Sequence, residues 1–190
     1  MYKLCKSEQS ARRQRQLEEG LLNAMLVQQY EDISISDLCD QMGVPRKSFY
    51  RYFASKDGAL HALIDHRLME YETRQGSVKI GGKNGVYLDL PWFFEFWLEQ
   101  RSLLEALDKS NLGGFLVDRV IAHSQQEQLL DFGDRKYHGD RDFHNSAILF
   151  GVCGLMTLVI QWHRDGYRQS PTEMADITYK ILSNPLISKV

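Results

Sequence analysis

Apolar residues recur along this chain at intervals of three and four, the period of a helix that buries one stripe. Leu17, Leu21, Leu22, Met25 and Leu26 mark such a stripe on a first helix predicted over about Ser7 to Gln29. Leu60, Leu63, Ile64 and Leu68 mark another over about Ser55 to Gln75. Between these two, Ser34 followed by Asp37 is a capping box that starts a helix of about two turns. Gly43 closes that helix by taking the left-handed conformation, and Pro45 opens the next where its missing N–H costs nothing. The pattern is helix, sharp turn, helix, with Ile35, Leu38, Cys39, Val44, Phe49 and Phe53 on the faces that pack the pair onto a third helix. Arg46, Lys47, Ser48, Tyr50, Arg51 and Tyr52 are left for solvent or a ligand.

The second half continues in helices. Residues 76–85, GSVKIGGKNG, with four glycines, read as a loop or hinge. Asp89-Leu90-Pro91 then starts a helix predicted to run through about Lys109, and further helical patterns cover about Leu112 to Leu130. A polar loop at 132–142 precedes a long apolar helix over 143–164, with Ala147, Gly151 and Gly154 as small positions and Ile148, Leu155, Leu158, Val159 and Trp162 as large ones. Gly166 stops it, and the capping box Ser170-Pro171-Thr172-Glu173 starts a last helix to about Ser183. The fold class expected is all-α.

A net charge of −2 looks unpromising for nucleic acid until the charges are placed along the chain. Residues 1–16 carry Lys3, Lys6, Arg12, Arg13 and Arg15 against Glu8, and residues 44–56 carry Arg46, Lys47, Arg51 and Lys56 with no acid, so each segment is +4. Residues 17–43 hold Glu18, Glu19, Glu31, Asp32, Asp37 and Asp40 with no Lys or Arg. Such local segregation, rather than the net value, is what phosphates meet. For 1–16 alone a solvated face is the favoured reading. For 44–56 the coincidence with aromatic and turn residues disfavours it.

Tyr50-Arg51-Tyr52-Phe53-Ala54-Ser55-Lys56, with the Gly43-Val44 turn before it, resembles the signature of TetR/AcrR-type transcriptional regulators over about residues 8 to 66. One departure is Gly58, where the family usually has an acid, so the cap of the helix opened by Ser55 is weakened unless Asp57 compensates. The resemblance implies an N-terminal three-helix helix-turn-helix DNA-binding domain over residues 1–54. It implies a helical effector-binding and dimerisation domain over 55–190. Arg46 and Lys47, opening the recognition helix, are then best placed for base edges, where Arg favours the two acceptors of guanine. Ser48, Tyr50, Tyr52 and Lys56 match phosphate-contacting positions, Ser36 joins them, and Arg51 suits either role. Arg12 and Arg13 are weaker candidates for phosphate or minor-groove contacts.

Trp92, Phe93, Phe94, Phe96 and Trp97 crowd six positions and span more than one helix face. Two readings stay open, a pocket for an apolar or aromatic effector lined by Trp92, Phe93, Phe96, Trp97 and Phe115, or plain core and dimer packing. The resemblance further implies a homodimer through the last two helices, with Gly151, Leu155, Leu158, Trp162 and Ile177 at the interface.

Other chemistry finds little support. Cys5, Cys39 and Cys153 are scattered, without disulfide or zinc spacing, and read as reduced. His163-Arg164-Asp165 matches a kinase loop only in three letters, and His61, His66, His138 and His144 lack ligand spacing. No catalytic pairing, metal site or cofactor is expected, so the chain reads as a regulator rather than an enzyme. No apolar run spans a bilayer and no signal pattern appears, which points to the cytoplasm. The function expected is a sequence-specific regulator on a palindromic DNA operator, a repressor released by a small effector. The alternative is a TetR-like co-regulator or activator working through a protein partner.

Overall fold

The computed structural model describes residues 2–75, 89–127 and 141–183. Among them are nine helices and no strand, as the all-α reading requires. The expectations for residues 76–85 and 132–140, for Leu130 and for His138 lie outside the described residues, as do the side chains of His144, Ala147 and Ile148.

The first helix, α1, spans Glu8–Val27 and is capped by Ser7, whose hydroxyl accepts the Ser10 N–H at 3.3 Å. Its predicted stripe is real, because Leu17, Leu21, Leu22 and Met25 are all buried. The second, α2, spans Ile35–Gln41, with Ser34 Oγ accepting the Asp37 N–H at 3.0 Å. Gly43 then takes φ +62°, a left-handed turn, and α3 follows over Arg46–Tyr50 behind Pro45. A Cβ built at Gly20 lies 2.2 Å from Met42 Sδ, so the flexible Met42 side chain occupies the space that a side chain at position 20 would take.

The next helix, α4, spans Lys56–Gln75 and buries Leu60, Leu63, Ile64 and Leu68. Ser55 caps it by accepting the Gly58 N–H at 3.1 Å, so the cap forms without the family's acid. Asp57 accepts the Tyr30 hydroxyl at 2.7 Å and so ties α4 to the end of the α1–α2 connection.

Two compact units divide the chain. One holds residues 1–79 and 102–123, and therefore α1–α4 together with α6 (Arg101–Lys109) and most of α7 (Gly113–Glu127). The other holds residues 80–101 and 124–190, with α5 (Leu90–Glu99), α8 (Arg141–Arg164) and α9 (Pro171–Ser183). The helix expected from Pro91 through Lys109 is thus two. It breaks at Gln100, at φ −85° and ψ 17°, where the N–H is shared between the carbonyls of Phe96 and Trp97 at 3.2 Å each. Neither Gly nor Pro marks the break. Burial differs on its two sides, from rings around most of α5 to the single stripe Leu103, Leu104, Ala106 and Leu107 on α6.

In the second unit α5 packs on α9, and Phe94 meets Trp162 of α8 edge-on with ring centroids 5.6 Å apart. The Trp162 indole donates to the Gln169 carbonyl at 2.9 Å and its ring meets Tyr167 at 4.9 Å. These contacts hold the turn after α8, where Gly166 and Tyr167 both have positive φ. The last cap is reciprocal: Ser170 N–H donates to Glu173 Oε2 at 2.7 Å, while the Glu173 N–H donates to Ser170 Oγ at 3.3 Å. The bonds that the Ser170 N–H and then the Ser170 hydroxyl donate to its ionised form hold the Glu173 carboxyl below its usual range.

Candidate nucleic-acid interface

The cations of the first unit fall into two groups, engaged and unengaged, and the unengaged ones are those of the segment before α1, Arg13 and Arg15 on α1, and a cluster at α3. Arg119 on α7 forks both oxygens of Asp65 on α4, with a closest N–O distance of 2.5 Å. Arg67 pairs with Glu19 and Glu70, and Arg12 with Glu8. Lys109 Nζ donates to the carbonyls of Leu26 and Val27 at 2.9 and 3.0 Å, neutralising the C-terminal end of α1. Arg46, Lys47 and Arg51 are exposed and, among the described residues, have no acidic partner. Three uncompensated positive charges on and beside one short helix are the local footprint a polyanion reads.

The predicted contact residues separate accordingly. Arg46, Lys47, Arg51 and Tyr50, the last 49% exposed, cluster on the outer face of α3 and its end, with Ser48 half-buried beside them. Ser36 is half-buried on α2. Phe49 of the same helix is fully buried and meets Phe53 at 5.1 Å, which fixes the outward direction of the others.

Two candidates also take part in packing the fold. Tyr52 is 5% exposed, its ring tilted against Phe53. Lys56 Nζ donates to the carbonyls of Tyr30, Glu31 and Ile33 and stands 4.4 Å from the Tyr30 ring centroid. Its charge is held inside the fold, where it joins the start of α4 to the loop that leads into α2. At both positions of the motif the side chain also makes contacts within the fold.

Several ties among the other elements of this unit carry no local signature. Ser110 Oγ accepts the Tyr30 N–H at 3.0 Å. Glu18, 1% exposed, meets His66 Nδ1 at 2.8 Å, and His123 Nε2 meets Glu72 at 2.8 Å. Tyr2 donates its hydroxyl to Asp65 at 2.9 Å and lays its ring edge-on to His66. Burial, chiefly, and then the neighbouring carboxylate keep the phenols of Tyr2 and Tyr30 protonated far above their ordinary range. Burial also raises the Cys39 thiol, which keeps it an unreactive core group. His61, set against the Phe115 ring at 4.7 Å, is pushed below the ordinary imidazole value by burial and by the charge of Arg119.

The effector candidates are divided between the two units. Phe93, Phe96 and Trp97 are buried in the second unit, Trp92 is half-exposed there, and Phe115 belongs to the first unit. The rings of α5 pack on one another, with Phe96 and Trp97 edge-on at 5.7 Å. Of the dimer candidates, Trp162 is 2% exposed and packs in the core of its own unit. Gly151, Leu155 and Leu158 are half-buried, and Ile177 is 38% exposed. Pattern reading missed the most exposed apolar side chains among the described residues of α8 and α9, Phe150 at 80% and Leu182 at 66%.

Among the described residues no helix is long and apolar enough to cross a membrane, and no group of three His, Cys, Asp or Glu is disposed to hold a metal ion. Residues 25–63, from the end of α1 into α4, match the family model described as bacterial regulatory proteins, tetR family. No curated protein matches the chain. The helix-turn-helix is therefore a tetR-family DNA-binding domain, and the chain is a DNA-binding transcriptional regulator built on it.

Proposed function

We propose that this regulator is a repressor which binds a two-fold symmetric operator as a homodimer and is released by a small apolar ligand. The observation that carries the DNA-binding part is the contrast between engaged and unengaged cations: Arg46, Lys47 and Arg51 lack acidic partners where Arg67, Arg119, Lys56 and Lys109 are all engaged. Arg46 and Lys47, at the start of α3, read base edges. Arg51, Tyr50, Ser48 and Ser36 fix register on phosphates. Such work takes place where the DNA is, in the cytoplasm.

Support for a homodimer is the exposed apolar set Phe150, Ile177 and Leu182 on α8 and α9, together with open space above Gly151 and Gly154. Small residues allow close helix approach and the large ones supply area. Support for a ligand is the ring-rich α5. Of its five ring positions Trp92 keeps partial exposure, and it is the contact proposed. A coupling of about 1–3 kcal/mol between ligand and operator, ~5- to 150-fold in affinity, is the expected size.

Selection of duplexes from a random-sequence pool by the purified protein tests the reading. It predicts enrichment of a palindromic motif whose half-sites are centred about 34–36 Å apart, one turn of B-DNA, or somewhat more. A pool that never departs from random contradicts it.

A further inference from the structure

The segment before α1 is the least distinctive part of the basic sequence, yet it does not hang free. Tyr2 forms an isolated antiparallel bridge with Phe53, and the Lys3 N–H donates to the Tyr52 carbonyl at 2.8 Å. These partners follow directly on α3 and its Arg51. Tyr2 is fastened a second time, by its hydroxyl on Asp65 and its ring on His66. Cys5 Sγ lies 2.8 Å from Gln14 Oε1, which fixes the segment again where it turns into α1. Tyr2 faces inward, whereas Lys3 and Lys6 are exposed and, among the described residues, have no acidic partner.

We infer that residues 2–6 form a second DNA-contacting element, a strap pinned to the end of the recognition helix that presents Lys3 and Lys6 to the phosphate backbone beside the groove α3 enters. A flexible basic tail would contribute little, because ordering it opposes binding. This strap is ordered in advance, so its charges add to those of Arg46, Lys47 and Arg51 without that penalty. Tyr2 is its positioning residue. The ligand is duplex phosphate rather than a base, since lysines on a short backbone bridge fix no bidentate geometry.

The inference rests on the DNA-binding reading, and salt dependence separates the two. Affinity for a fluorescein-labelled duplex recovered by the selection is measured by anisotropy across about 50–200 mM salt. Wild type, the double variant Lys3→Ala/Lys6→Ala and Tyr2→Ala are compared, with thermal unfolding followed for each. The double variant is expected to melt as wild type does, to bind more weakly, and to lose about 0.9 from the log–log salt slope for each phosphate contact removed. Tyr2→Ala, which keeps both lysines but unpins them, is expected to lose affinity in the same direction. A double variant whose affinity and slope equal those of wild type overturns the strap, which is then only structural. A wild type with no salt-dependent affinity for duplex overturns the DNA-binding reading itself.

Discussion

The two compact units are closed by different means. The first is laced with polar ties between residues far apart in sequence: Asp65 with Arg119 and Tyr2, Glu18 with His66, Lys56 and Lys109 with backbone carbonyls. The second is closed largely by rings and aliphatic side chains on α5, α8 and α9, and leaves Phe150, Ile177 and Leu182 in solvent. Polar ties are directional. They fix a helix in angle and register, as a surface that must match a groove requires. Apolar packing has no such direction, and an uncovered apolar face gains free energy when another surface covers it.

The largest effect expected is at that uncovered face. Phe150→Glu/Ile177→Glu places charge at two exposed sites and leaves the core of the second unit intact. Sedimentation should show wild type as a dimer and the variant as monomers, with tight operator binding lost as well. A dimeric, fully active variant would place the interface elsewhere.

Next comes the strongest tie. Arg119→Ala strands the Asp65 carboxylate, whose side chain is 7% exposed, and should cost about 3 kcal/mol in urea unfolding, the low end for breaking a buried pair because Arg119 itself is 25% exposed. A cost below about 0.5 kcal/mol, the range of ordinary surface changes, would show the tie to be incidental. Lys56→Ala removes the donor for three carbonyls at once and should cost about 1–2 kcal/mol of stability while leaving the salt slope of DNA binding unchanged. A slope reduced with stability intact would return Lys56 to the phosphates.

How much of this was legible in the sequence follows the same division. The caps at Ser34 and Ser170, the Gly43 turn, the Pro45 entrance and the stripes of α1 and α4 are local, and the structure has each where the pattern predicts it. Lys56 and Tyr52 belong to the motif, but their orientation depends on Tyr30 and Phe53 across a turn. The Asp65–Arg119 and Lys109–Leu26 ties join residues 54 and 83 positions apart, and no spacing rule announces such pairs. The break at Gln100 was hidden for another reason: no helix-breaking residue stands at the spot.

The smallest effect is a pH dependence. Burial and Arg119 depress the folded-state pKa of His61, so between that value and the unfolded imidazole value of about 6.5 the unfolded chain binds more protons. Stability from this group is therefore full above about 6.5 and is lost as pH falls toward the folded-state value. Wild type should lose slightly more melting temperature than His61→Gln on acidification through that window. Identical losses would remove His61 from the account.

The central claim is that the unengaged cations of α3 and its end bind DNA while the engaged ones hold the fold. The double variant Arg46→Ala/Arg51→Ala tests it most directly, with unfolding and salt-dependent duplex affinity measured on the same preparation. Stability should stay within about 0.5 kcal/mol of wild type, because neither side chain is tied into the fold. Loss of Arg46 should cost about 1–3 kcal/mol of operator binding and relax preference at one base pair per half-site, and loss of Arg51 should make the salt slope shallower by about 0.9 per phosphate contact removed. A variant that binds as wild type does, or one that unfolds before its binding changes, contradicts the claim.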